Sequence, residues 1–213
     1  MDTTDTEAPR SPLKTIRLVV WALVGVAAIV LAFLLLRPQA DPGARVEPGL
    51  PGFTLGGPFT LTGADGKPFS STQLAGKPYA MFFGFTNCPD VCPNTLGRLA
   101  QLRQKLGKGD DSFRIVFVSV DPERDTPQAV GAYTKLFDTP IIGLTGTPQQ
   151  VAQVAKQHAI YHAKVPQADL PDGYTVDHGA AVLLFDRDGK FTSTIAQEEQ
   201  EAPALDKLRR LIA

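Results

Sequence analysis

An apolar run, Tyr79-Ala-Met-Phe-Phe-Gly-Phe85, is followed after Thr86 and Asn87 by the turn Cys88-Pro-Asp-Val-Cys92-Pro93. Beyond it, Leu96, Leu99, Leu102 and Leu106 recur at helical spacing up to Gly107. The run has the length and aromatic content of a strand buried on both faces, and Gly107 is a natural helix stop. A strand-turn-helix unit with its only two cysteines at the junction constrains this chain more than any other feature. In an open α/β sheet, ligands bind where parallel strands end and helices begin.

The remaining segments extend that unit into a sheet. Phe59 to Thr62 and Lys67 to Ser70 flank Gly63-Ala-Asp-Gly66, a hairpin signal. Arg114 to Val120 is a second buried strand, and Asp125-Thr126-Pro127 opens a helix expected to reach Phe137. Pro140 to Gly143 is a short apolar run, and Thr147-Pro148 opens a helix ending near Ala159. Ala163 to Thr175 contains proline and glycine and reads as a mobile loop. Ala181 to Asp186 and Lys190 to Ala196 flank the turn Arg187-Asp188-Gly189, and a last helix starts near Pro203. This alternation implies an α/β fold with parallel first core strands and an antiparallel closing pair, the thioredoxin order.

Pro93 suits a first helical turn, where its missing N–H is not needed. The free N–H groups of that turn favour a thiolate, which makes the cysteines available as nucleophiles or metal ligands. Three intervening residues let both sulfurs reach one point, for a disulfide or for one shared ion. A purely structural disulfide is weakly motivated, because closing so small a loop removes little unfolded-state entropy.

Of the three histidines, His158 falls late in a helix and reads as packed or surface, and His162 reads as a solvated loop residue. His178 closely precedes the strand Ala181 to Asp186, which should run antiparallel to the first two buried strands. An antiparallel strand starts at the edge where parallel strands finish, so His178, Cys88, Cys92 and Asp121 are expected at one edge. Two thiolates and an imidazole suit Cu(I), Cu(II) or zinc, and leave a position open on a four-coordinate ion. Residue types alone do not decide between copper and zinc.

Leu18 to Leu36 is nineteen residues without a charge, long enough as a helix for the roughly 30 Å of a bilayer core. It is longer than a signal-peptide core and ends in a poor cleavage sequence, Leu-Leu-Leu-Arg-Pro-Gln-Ala. We therefore expect a short cytoplasmic tail over 1–17, an anchor over 18–36, a Pro/Gly linker over 37–58 and a globular domain over 59–213. Arg10, Lys14 and Arg17 before the span, against Arg37 and Arg45 after it, favour a cytoplasmic N-terminus. The domain then lies in a space where disulfides persist. The net charge is −1, with 17 basic and 19 acidic residues beyond Arg37, and this argues against a nucleic-acid partner.

Gly84-Phe-Thr-Asn-Cys-Pro-Asp-Val-Cys-Pro93, Val120-Asp-Pro-Glu-Arg-Asp-Thr-Pro127 and Val176-Asp-His178 together resemble the Sco/SenC family of cytochrome oxidase assembly proteins. The resemblance covers most of residues 56–213 and implies a thioredoxin-like fold. It also implies copper, as Cu(I) and/or Cu(II), ligated by Cys88, Cys92 and His178. The family role is delivery of that copper to the CuA centre of cytochrome c oxidase subunit II, or of a related oxidase, after loading by an upstream donor. The alternative it offers is reduction of the acceptor's cysteines by Cys88 and Cys92 as a redox-active pair. Asp121, Arg124, Asp125 and Asp177 are expected to support the ligands or meet a partner. Gly179 departs from the family, which commonly has a hydroxyl residue there. The peroxidase chemistry found on the same fold lacks its usual Thr and Arg here. The acidic residues Asp2, Asp5 and Glu7 are unlike a transit peptide, so the expected location is a bacterial inner membrane with the domain in the periplasm.

Overall fold

The computed structural model describes residues 16, 17, 20–28, 30 and 55–213. The chain divides into two compact units, Met1–Pro48 and Gly49–Ala213. Described residues of the first are helical. No helix among the described residues is long and apolar enough to cross a membrane. Of the expected anchor over 18–36, residues 20–28 and 30 are described and the rest lies outside the described residues, as does most of the linker over 37–58.

The second unit is built on a seven-stranded sheet in the order β2-β1-β5-β4-β3-β8-β9. The strands are β1 (Thr60–Gly63), β2 (Pro68–Ser70), β3 (Tyr79–Gly84), β4 (Arg114–Ser119), β5 (Ile141–Thr145), β8 (Val182–Phe185) and β9 (Phe191–Ile195). β3, β4 and β5 are parallel, while β8 runs antiparallel to β3 and β9 to β8, as the segment order predicted. Every residue of β3 is buried, which accounts for its unbroken apolar run in a central strand flanked on both edges.

Helices α1 (Val91–Leu106), α2 (Pro127–Thr134), α3 (Pro148–Gln157) and α4 (Glu201–Ile212) flank the sheet. α1 packs against α4 and buries Leu96, Leu99 and Leu102. It ends on Gly107, whose φ of 65° is the left-handed conformation that glycine adopts without strain. The Thr126 and Thr147 side chains cap α2 and α3, and Gln150 completes a capping box with Thr147. α2 stops at Thr134 rather than Phe137, where the Thr134 hydroxyl donates back to the Val130 carbonyl at 3.0 Å and competes with the ladder.

The largest departure from expectation lies between Ala163 and Thr175. The expected mobile loop is a hairpin of β6 (His162–Pro166) and β7 (Tyr174–His178), a separate two-stranded sheet. Its alternation Tyr-Thr-Val-Asp-His is a strand pattern with Val176 buried and Asp177 exposed. Pro166, Pro171 and Gly173 sit at or near the hairpin tip, where they are compatible with pairing. His162 is therefore a strand residue, paired in register with His178.

Candidate metal centre

β3 delivers the chain to the site and α1 receives it. Gly84 closes the strand at a point where a Cβ would lie 2.7 Å from the Cys92 sulfur, so only glycine leaves that sulfur its place. α1 begins at Val91, which puts Cys92 inside the first turn rather than at the cap position. The Asp90 carboxylate does not cap the helix and instead accepts from Asn94 Nδ2 at 2.6 Å. The Cys92 N–H, one of the donors that a helix start leaves free, points at Cys88 Sγ at 3.3 Å. Cys88 thus fills the acceptor role at the helix N-terminus.

Cys92 is fully buried, and Cys88 is half-buried. The hydrogen bond with the Cys92 side chain holds the Cys88 thiol down to about 4 against the effect of burial, and the His178 side chain and then the Cys92 and Asp90 amides add to the shift. The same hydrogen bond, together with burial, pushes Cys92 up. The pair shares one proton, with the negative charge on the more accessible sulfur.

His178 ends β7 and brings its ring over the pair, with Nε2 at 3.5 Å from Cys92 Sγ. Its Nδ1 lies 3.1 Å from the Gly179 carbonyl and must donate there, because a carbonyl only accepts. That bond leaves Nε2 as the nitrogen facing the sulfurs, an arrangement usual for metal-binding histidines. Phe82 and Phe85 meet the ring edge-on at 6.0 and 5.9 Å. One potential ligand atom from each of Cys88, Cys92 and His178 lies within 4.8 Å of the others, close enough to converge on a single ion. His158 is remote in character, a buried ring among Phe59, Phe83 and Phe185.

The loop after β4 supports this arrangement. Buried Asp125 accepts from the Thr86 N–H at 2.9 Å, the Thr86 hydroxyl at 2.6 Å and the Ser119 hydroxyl at 2.5 Å, tying the cysteine turn to β4. Burial raises its pKa, and the Ser119 and Thr86 bonds oppose the shift. Asp121, also buried, pairs with Arg124 and accepts from the Tyr174 hydroxyl at 3.0 Å. Asp177 is exposed, turned outward by the same alternation that turns His178 inward. Gly84, Thr86, Ser119 and Tyr174 escaped the sequence reading. For Tyr174 a signal existed, its position four residues before His178 on one face of an alternating segment.

A thioredoxin-like α/β domain with two thiols and an imidazole converging at a helix N-terminus defines a thiol-based metal or redox protein. Residues 48–213 match the SCO1/SenC family model, and the chain belongs to that family. It is 32% identical over 200 residues to the SCO2-like protein RC0895 of Rickettsia conorii, covering 94% of this chain and 98% of the relative. It is 39% identical over 159 residues to the mitochondrial protein SCO2 of Saccharomyces cerevisiae, covering 74% of this chain but only 53% of that longer protein. Among solved structures, Bradyrhizobium japonicum ScoI with copper bound superposes with a TM-score of 0.66 at 41% identity, over 74% of this chain and 99% of that one.

Proposed function

We propose that this protein is a copper chaperone of cytochrome c oxidase assembly, holding copper through Cys88, Cys92 and His178 and passing it to the CuA centre of oxidase subunit II. The observation that carries the reading is the convergence of two sulfurs and one imidazole nitrogen within 4.8 Å of one another. Soft thiolates favour Cu(I), and the imidazole extends the set to Cu(II). The similar Bradyrhizobium protein is a copper-bound member of the same family. Half-buried Cys88 gives an acceptor's thiols a place to attack the metal, so copper can pass by ligand exchange. Thiol-disulfide exchange alone would need only the cysteine pair, and His178 at 3.5 Å from Cys92 favours the metal role.

We further propose that residues 18–36 anchor the chain in a bacterial inner membrane, with 1–17 cytoplasmic, 37–58 a spacer, and 59–213 the periplasmic copper domain. The rickettsial relative supports a bacterial setting. Trp21 and Leu23, both about two-thirds exposed among the described helical residues of the first unit, are apolar surface that a bilayer would cover. Orientation follows from the basic residues before the span.

The test is transfer. Copper-loaded full-length protein is mixed anaerobically with the metal-free CuA domain of subunit II, the two are separated, and copper is measured in each. Copper should move to the acceptor, and a Cys88→Ser variant should deliver none. Copper that stays with the donor under excess acceptor contradicts delivery.

A further inference from the structure

The three candidate ligands come from two separately hydrogen-bonded bodies. Cys88 and Cys92 stand at the end of a strand of the seven-stranded sheet, whereas His178 stands on the β6–β7 hairpin, which shares no ladder with that sheet. The distance from imidazole to sulfur is therefore set by the short link from His178 to β8 at Val182 and by side-chain contacts between hairpin and sheet. Tyr174 gathers several of these contacts. Its hydroxyl donates to Asp121 Oδ1 at 3.0 Å, and its carbonyl accepts from Arg124 Nη1 at 3.2 Å. The Arg124 guanidinium lies over its ring at 4.0 Å, and the ammonium of Lys164, on strand β6 of the same hairpin, lies over it at 4.6 Å. Lys164 is in turn paired with Glu123 and Arg124 with Asp121, so both cations are fixed to the loop that follows β4.

We propose that Tyr174 is a positioning residue for copper exchange, a latch that ties the hairpin to the Asp121–Arg124 loop and so sets how long His178 stays on the metal. This rests on the copper reading of the site. Two routes connect latch to ligand. Tyr174, Val176 and His178 share one face of β7, so a shift at Tyr174 is carried along a stiff strand. Arg124 also lies 5.8 Å from the Phe85 ring, whose edge-on contact with the imidazole is 5.9 Å. The latch uses hydrogen bonds and cation–π contacts, which open without breaking a β ladder. A protein that must surrender its metal needs such a joint.

The test compares full-length wild type with Tyr174→Phe, which removes only the hydroxyl, and Tyr174→Leu, which also removes the ring. The first readout is the rate at which Cu(I) passes to an excess of a Cu(I) chelator. The second is the nitrogen coupling of the imidazole in the Cu(II) spin-resonance spectrum. The third is hydrogen exchange of the 174–178 amides in metal-free protein. Loss of a hydrogen bond to a carboxylate should speed release roughly tenfold in Tyr174→Phe. Loss of the cation–π contacts should add up to about another tenfold in Tyr174→Leu. Both variants should show weaker nitrogen coupling and faster amide exchange, with the cysteine-to-copper absorption retained. Wild-type rates and coupling in Tyr174→Phe, which keeps the ring's packing if the Leu variant fails to fold, overturn the latch alone. A wild-type protein without nitrogen coupling overturns both the site reading and the latch.

Discussion

Cys92 Sγ and His178 Nε2 lie 3.5 Å apart across 86 residues of sequence. Gly84 makes room for the sulfur from below, and the Gly179 carbonyl holds the far side of the ring. Each of these supports can be perturbed separately.

Gly84→Ala places a methyl 2.7 Å from the Cys92 sulfur and 3.0 Å from the Phe82 ring, in a fully buried strand. Overpacking of that kind destabilises by about 1–3 kcal/mol. The sulfur must also shift from its place beside the imidazole. Copper titration of this variant should show a weakened site even where denaturant unfolding shows the domain still folded. Wild-type affinity would mean that Cys92 need not sit where it does.

The charge distribution between the thiols predicts asymmetric reactivity. With Cys88 held at about 4, its alkylation by a neutral reagent should stay flat from pH 8 to pH 6, roughly the range over which a normal thiol near 8.5 loses its thiolate. It should halve only near pH 4. Cys92, buried and raised, should remain unlabelled in the folded protein. Mass spectrometry of the digested product separates the two, and a Cys88 midpoint near 8 to 9 contradicts the assignment.

Asp125→Ala leaves the Thr86 N–H, Thr86 hydroxyl and Ser119 hydroxyl without their acceptor in a buried setting. Each orphaned polar group is worth about 1–3 kcal/mol, so a loss of several kcal/mol is expected, less in Asp125→Asn. Because Thr86 precedes the cysteine turn, the Asn variant should also bind copper more weakly. Chemical denaturation beside metal titration checks both halves.

His158 predicts a pH effect unrelated to metal. Burial among Phe59, Phe83 and Phe185 lowers its pKa, while Nδ1 donates to the Val154 carbonyl at 2.8 Å and Nε2 has no partner among the described residues. A depressed folded value means that the unfolded chain takes up the proton first. Stability from this group is complete above the unfolded value of about 6.5 and is lost as pH falls below it. Urea midpoints should therefore drop between pH 7 and pH 5 in wild type and drop less in His158→Leu. Equal slopes would show that other groups dominate.

The sheet was legible because its signals are local. Tyr79 to Phe85 is apolar throughout since β3 is flanked by β4 and β8, and Thr126-Pro127 and Thr147-Pro148 announce helix starts through their own side chains. Strand directions then brought His178 to the cysteine edge by topology alone. The β6–β7 hairpin was hidden because Pro166, Pro171 and Gly173 mask a short alternating pattern that half faces solvent. The roles of Thr86 and Tyr174 depend on partners 39 and 53 residues away, and Ser119 matters through Asp125 in the loop beyond its own strand; no local pattern encodes such pairings. Asp177 illustrates the reverse case, a residue next to a candidate ligand that strand alternation turns to solvent.

The central claim is that one copper ion is held by Cys88, Cys92 and His178 together. Anaerobic titration of the reduced full-length protein with copper, beside His178→Ala, tests it most directly. Wild type should bind one equivalent with thiolate-to-Cu(II) absorption and imidazole nitrogen coupling, and the variant should lose the coupling and bind more weakly. An unchanged spectrum and affinity in His178→Ala would contradict the account.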